Sequence, residues 1–164
     1  MEAWVDVPGF TGYSVSDLGR VRNSDTGRVL TVLRTKDGTC YVGLTKGRKQ
    51  CRRSLALLVA NAYIPKMSGR VEFTRPLHLD GDQTNNRADN LVWRPPWFTV
   101  AYYRQIHNGK VGSDMPVIES KLMEIFQNSF EAALAFGLLE TQVIASATMG
   151  TFTFPTFQYF KYHS

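Results

Sequence analysis

The stretch RPLHLDGDQTNNRADNLVW, Arg75 to Trp93, holds one histidine, three aspartates and three asparagines. Its two ends are apolar: EFTRPLHL reads as one strand and NLVW as a second. The polar middle, with Asp80-Gly81-Asp82 and Asn85-Asn86-Arg87, reads as their connection. His78 falls at the end of the first strand. A histidine there can take a proton from water near neutral pH, although a lone histidine is more often structural. Asn90, at the start of the second strand, can fasten a loop by bonding backbone groups at both ends. Together they describe a ββα arrangement whose histidine faces a nucleic-acid backbone.

Outward from this stretch the pattern changes. Residues 1–65 alternate short apolar runs with glycine turns such as SDTG and KDGT, which predicts a small antiparallel sheet of several short strands. RSLALLVANAYI (Arg53–Ile64) then takes helical spacing, with Leu55, Leu58, Val59 and Ala62 on one face and Pro65 after its end. Beyond Trp93, RPPWFTVAYYRQIHNG predicts a helix entered through Pro95 and Pro96. Its spacing puts Trp97, Val100, Ala101 and Arg104 on one face, expected to be a core face with a charged rim rather than a base-stacking surface.

The last segment opens with the loop NGKVGSDMP. Asn128 and Glu131 have capping-box spacing, Ala132, Ala133 and Phe136 follow at helical spacing, and Gly137 can end the helix. A second helix over Thr141–Met149, closed by Gly150, completes a helix-turn-helix pattern. The aromatic tail FTFPTFQYFKY is expected to pack back on it. The fold class is therefore α+β. A short antiparallel sheet over 1–52 leads into a ββα core over 53–110, and a linker and small helix-turn-helix-like unit fill 111–164.

Charge follows the same division. The net charge of +5 is the balance of +8 in residues 1–110 and −3 in residues 111–164. A basic body is what a polyanion-binding surface requires, though charge alone also serves solubility. Cys40 and Cys51 are the only cysteines, without CxxC spacing, which argues against a zinc site or a disulfide framework and fits a reducing cytoplasm. No run of 18 apolar residues appears, so no membrane partner is expected. The start, MEAWVDVPGF, lacks the features of a secretory signal.

The Arg75–Trp93 stretch resembles the core of the HNH homing endonucleases, whose motif reads roughly His-x-Asp-Gly-Asp-x-x-Asn-Asn-x-x-x-Asn-Leu-x-Trp. RRSLALLVANAYIP is similar to the helix that leads into that core, and WVDVPGFTGYSVSDLGRVRNSDTGRVL to the nuclease-associated module ahead of it. SFEAALAFGLLETQVIASATMG resembles, more weakly, the helix-turn-helix repeat that follows. The resemblance implies that His78 matches the general base, Asn90 the structural middle residue, Asn85 and Asn86 the turn asparagines, and Trp93 the hydrophobic anchor. It implies a single divalent ion, Mg²⁺ or Mn²⁺, in an active member. It also implies double-stranded DNA as partner, a bacteriophage origin and a bacterial cytoplasm.

Two positions depart from the family. It often places an acidic or amide ligand directly before the histidine, where this chain has Leu77. A second ligand lies about nine residues beyond the middle asparagine, where this chain has Thr99. A leucine offers no donor and a threonine hydroxyl is a poor one for Mg²⁺. Any metal would then rest on Asp80, Asp82 and Thr99, or the fold is kept for binding, as a regulator or an inhibitor of transcription or replication machinery. Candidate DNA contacts are Arg20 and Arg22 at alternate positions, then Lys46, Arg48, Lys49, Arg52 and Arg53 of KGRKQCRR. Arg75, Arg87, Arg94 and Arg104 flank the core, and Gln142 could read adenine from the second C-terminal helix. The acidic C-terminal unit alternatively offers a surface for a protein partner.

Overall fold

In the computed structural model, which describes residues 1–66 and 69–163, the glycine-punctuated N-terminal segment forms two three-stranded antiparallel sheets rather than one. The first has β1 (Trp4–Asp6), β2 (Tyr13–Ser16) and β3 (Val21–Asn23) in that order; the second has β4 (Leu33–Arg34), β5 (Cys40–Lys46) and β6 (Lys49–Ser54). The ladder breaks between them because residues 24–32 turn away from it, leaving one isolated bridge from Arg22 to Val29. Along β5 the side chains alternate: Cys40, Val42 and Leu44 are buried, and Tyr41, Gly43 and Thr45 take the other face.

The helix α1 (Leu55–Tyr63) begins where Ser54 Oγ accepts from the amide of Leu57. It buries Leu55, Ala56, Val59 and Ala60. Leu55, Ala56 and Val59 join Val7, Val15, Val21, Val42, Leu44 and Leu91 in one hydrophobic cluster. Leu91 belongs to a hairpin of β7 (Arg75–His78) and β8 (Leu91–Arg94), with Leu77 opposite Val92 and His78 opposite Leu91. Trp93 is buried in β8 and donates its indole N–H to the Ile64 carbonyl at 3.0 Å. These elements make up a unit of residues Met1–Pro96.

A second unit, Trp97–Ser164, has its own core of Val117, Ala132, Ala133, Leu138, Val143 and Phe160. It contains nearly all of α2 (Pro96–Asn108), then β9 (Val117–Glu119), β10 (Ile125–Phe126), α3 (Ser129–Phe136), α4 (Glu140–Met149) and β11 (Phe160–Tyr162). The strands form a sheet in the order β10-β9-β11, so the aromatic tail returns as β11 beside β9. Phe126 and Phe160 both meet Phe136 edge to face, with centroids 5.6 and 5.8 Å away. A bend of 118° separates α3 from α4. No single helix among the described residues is long and apolar enough to cross a membrane.

One face is corrected. The buried side of α2 is Phe98 and Tyr102, whereas Trp97 and Val100, expected in a core face, are more than half exposed. Trp97 instead stacks on Phe154, with centroids 6.1 Å apart and planes 19° from parallel.

At the start of α3 the Asn128 side chain accepts from the Glu131 amide at 2.9 Å, and Glu131 Oε2 accepts from the Gln127 amide. Gly137 closes the helix at φ 60°. Replacing Asn128 by Ala removes the oxygen that serves the first turn. We expect urea unfolding to show a loss of about 1 kcal/mol; an unchanged midpoint would mean that another group takes over the cap.

Candidate histidine site and basic hairpin

Between β7 and β8 the chain makes a polar loop that is organised almost entirely by its own side chains. Asn90 spans it: Oδ1 accepts from the Asp80 amide at 3.1 Å, while Nδ2 donates to Asp80 Oδ1 and to the Asn85 carbonyl, both at 2.9 Å. Asn85 Nδ2 donates to Asp80 Oδ2 at 2.7 Å, and Asp80 Oδ1 also accepts from the Asp82 amide. Asp82 Oδ1 accepts from the Thr84 amide at 2.8 Å, a bond that holds its carboxyl below the usual carboxylate range.

His78 and Asn86 lie beneath this loop, 5% and 4% exposed. Asn86 Nδ2 donates to the carbonyls of Gln83 and Thr84, which fixes the amide so that its oxygen faces His78 Nε2 at 3.1 Å. An oxygen can only accept, so Nε2 carries the proton and Nδ1 is the basic nitrogen of the neutral ring. Burial pushes the His78 pKa below its ordinary 6.5, against weaker opposing effects of the Asn86 bond and the charges of Asp80 and Asp82. A neutral imidazole with a defined tautomer is what proton abstraction needs.

The N-terminal sheets hold the loop from outside. The Ala88 amide donates to the Asp17 carbonyl at 2.8 Å, and Thr39 Oγ1 donates to Gln83 Oε1 at 3.1 Å. Gly19, at φ 77°, comes so close that a Cβ there would sit 2.7 Å from the Asn86 carbonyl oxygen. Sequence reasoning missed Asp17, Gly19, Thr39 and Gln83; only the glycine in a turn signalled anything.

The donor set at the positions the family uses does not suit a magnesium ion. Leu77 is fully buried and brings no donor atom. Both oxygens of Asp80 are engaged within the loop. Thr99 is half-buried on α2, in the second unit. Among the described residues, no three His, Cys, Asp or Glu side chains form a group that could hold a metal. Mg²⁺ requires near-octahedral oxygen coordination and gives up its water reluctantly.

The arginines fall into distinct groups. Arg20 is ion-paired to Glu2, and Arg87 grips Asp89 through Nε and Nη2 at 3.0 and 2.8 Å. Arg22 stacks on Trp4, 4.3 Å from the ring centroid, with its Nε buried and without a partner. Arg94 is buried and bonds the Trp93 carbonyl. Arg75 is exposed on β7, and Arg104 is exposed on α2. Gln142 is half-buried, its Oε1 accepting from the Leu139 amide at the start of α4. By contrast Lys46, Arg48, Lys49, Arg52 and Arg53 stand exposed on the β5–β6 hairpin, and none has an acidic partner among the described residues. Arg52 lies over Tyr41 and Arg53 over Phe10, at 4.2 and 5.0 Å from the centroids.

A histidine at the end of a strand, under an asparagine-pinned hairpin loop and behind a small N-terminal sheet module, defines a nuclease-type ββ hairpin. The chain is similar to HNH homing endonucleases. Residues 2–45 match the NUMOD4 motif. The DNA endonuclease I-HmuI of Bacillus phage SP01 is 36% identical over 91 residues, 55% of this chain and 51% of that protein. The uncharacterized HNH endonuclease L245 of Acanthamoeba polyphaga mimivirus is 31% identical over 90 residues, 55% of this chain and 26% of that one. These matches span only about a quarter to a half of the relatives' lengths. A solved structure of I-HmuI, titled for its DNA binding and cleavage, shares the fold with TM-score 0.55 over 98% of both chains, at 24% identity.

Two outcomes follow from this packing. Because the folded His78 pKa is depressed, the unfolded chain binds more protons near pH 6, so this group's contribution to stability is present above pH 6.5 and is lost as pH falls through the folded pKa. His78→Gln should therefore flatten the slope of unfolding free energy against pH below 6.5; an unchanged slope would deny the depression. Gly19→Ala should cost about 1–2 kcal/mol for the left-handed backbone alone. It should also move the His78 ring signals in NMR spectra, since the new Cβ meets the Asn86 backbone. Stability loss with unmoved His78 signals would show that the turn does not position the ring.

Proposed function

We propose that this chain binds double-stranded DNA through its β5–β6 hairpin and that its His78 site no longer supports magnesium-dependent hydrolysis. The observation that carries the binding reading is the distribution of unpaired charge. Arg20 and Arg87 are neutralised locally, whereas five cations on one hairpin are not. Such a surface gains free energy by releasing counterions from phosphates. The relationship to I-HmuI, whose solved structure is titled for DNA binding and cleavage, supports DNA as the polyanion.

The donor chemistry supports loss of hydrolysis. A divalent ion would supply charge to the scissile phosphate and the leaving oxygen, and it would have to be held without an acid at Leu77 and with Asp80 already bonded. His78 would then act as a buried, hydrogen-bonded member of the loop rather than as a base. Binding of this kind suits a regulator that occupies a site without cutting it.

The test combines gel-shift titrations with cleavage assays on long duplex DNA. Log affinity should fall linearly with log salt, losing about 0.9 in slope per phosphate contact. Arg48→Ala with Lys49→Ala should lower the slope by about two, while Arg87→Ala leaves it unchanged. Mg²⁺ or Mn²⁺ should yield no more cut DNA than EDTA. Metal-dependent cutting abolished by His78→Ala would overturn the loss of hydrolysis, and salt-insensitive or absent binding would overturn the whole reading.

A further inference from the structure

Two glutamates in the second unit are buried, and only one is fully engaged. Glu140, 1% exposed, accepts from the amides of Val111 and Gly112 and from the Ser129 hydroxyl, using both carboxylate oxygens. Glu119, 2% exposed at the end of β9, uses Oε2 alone, accepting from the amides of Lys121 and Leu122 at 2.9 and 2.6 Å. Its Oε1 takes no hydrogen bond from the described residues, and Glu119 enters none of their ion pairs. A carboxylate removed from water without a countercharge is costly. The backbone turn does not require the charge, since a neutral amide oxygen would serve the same two N–H groups.

Glu119 borders a cavity of about 500 Å³. Ser120, in the same wall, has a buried Oγ without a partner. The rest of the lining is largely apolar, with Leu122, Phe152, Phe157 and Tyr159, and the first three of these are more than half exposed. Phe157 sits at φ 54°, and Met123, next to Leu122, sits at φ 58°. Bulky residues disfavour this left-handed backbone, and neither side chain is buried in return. Backbone strain of this kind concentrates at ligand clamps.

We infer that this cleft binds an organic cation, an alkylammonium or guanidinium group, seated between the Glu119 carboxylate and the exposed rings. Aromatic faces attract such cations, and one carboxylate with apolar walls offers too few oxygens for a hard metal ion. The Tyr159 ring already has the ammonium of Lys161 5.5 Å from its centroid. Lys121 lines the rim with its side chain exposed, and neither lysine pairs with Glu119. The cation comes either from a free amine or from a lysine or arginine side chain of a partner protein. The site does not depend on the DNA-binding reading.

Titration of the full-length ¹⁵N-labelled chain with putrescine, and separately with the peptide Ac-Gly-Arg-Gly-NH2, tests the site. Saturable shifts are expected at the amides of Lys121, Leu122 and Phe157–Tyr159. Response to the peptide alone assigns a partner's side chain; response to putrescine assigns a free amine. Glu119→Gln keeps the oxygen that caps the turn and should weaken binding at least about tenfold. Phe157→Gly relieves the backbone, so the chain should fold as well as the wild type and still bind more weakly. No saturable shift with either probe, or wild-type affinity in both variants, would overturn the inference.

Discussion

The arrangement at the histidine depends on one side-chain amide. Asn86 is held by two backbone carbonyls of its own loop, and that fixes which of its ends meets His78. The orientation of Asn86 sets the tautomer of His78, and burial of the pair sets its neutrality. Asn86 in turn keeps its place because the turn at Gly19 packs against its backbone without a side chain. The histidine is thus positioned by a chain of contacts that begins in the first sheet, far upstream in sequence. The NUMOD4 segment, residues 2–45, is for this reason part of the scaffold of the site.

Charge on the surface follows a similar economy of local partners. Arginines close to an acid in space, such as Arg20 with Glu2 and Arg87 with Asp89, satisfy each other and contribute little to a long-range field. Among the described residues, cations on the β5–β6 hairpin have no such acidic neighbours. Three of them set their charged groups over aromatic faces, Arg52 over Tyr41 and both Lys46 and Arg53 over Phe10. A row of lysines and arginines along the edge strand β6 also discourages pairing with foreign strands.

Much of the fold is legible in the sequence because its signals are local. Asn128, Gly137 and Gly150 mark the ends of α3 and α4 by side-chain and backbone chemistry confined to a few residues. Strands β9 and β10 leave no such mark: they are three and two residues long, too short for a period of two to register. The face of α2 misleads for another reason. Trp97 and Phe98 are both large and apolar, and only the packing of Phe154 against both rings decides which of them is buried. At the site, the sequence shows which residue types meet but not how their hydrogen bonds are assigned. The orientation of Asn86 depends on the carbonyls of Gln83 and Thr84, and the burial of Arg94 depends on the packing around β8.

The hairpin motif is readable in the sequence because the same residues hold the loop together. Asp80, Asn85, Asn86, Asn90 and Trp93 each hydrogen-bond backbone or side-chain groups of the hairpin or of the chain that leads into it. Replacing any of them disturbs the hairpin itself. Three donors surround the Asp80 carboxylate within the loop, the Asp82 amide and the side-chain amides of Asn85 and Asn90. Leu77, directly before His78, is fully buried, and Thr99 is half-buried on α2. The visible motif is therefore the part of the loop that its own hydrogen bonds require.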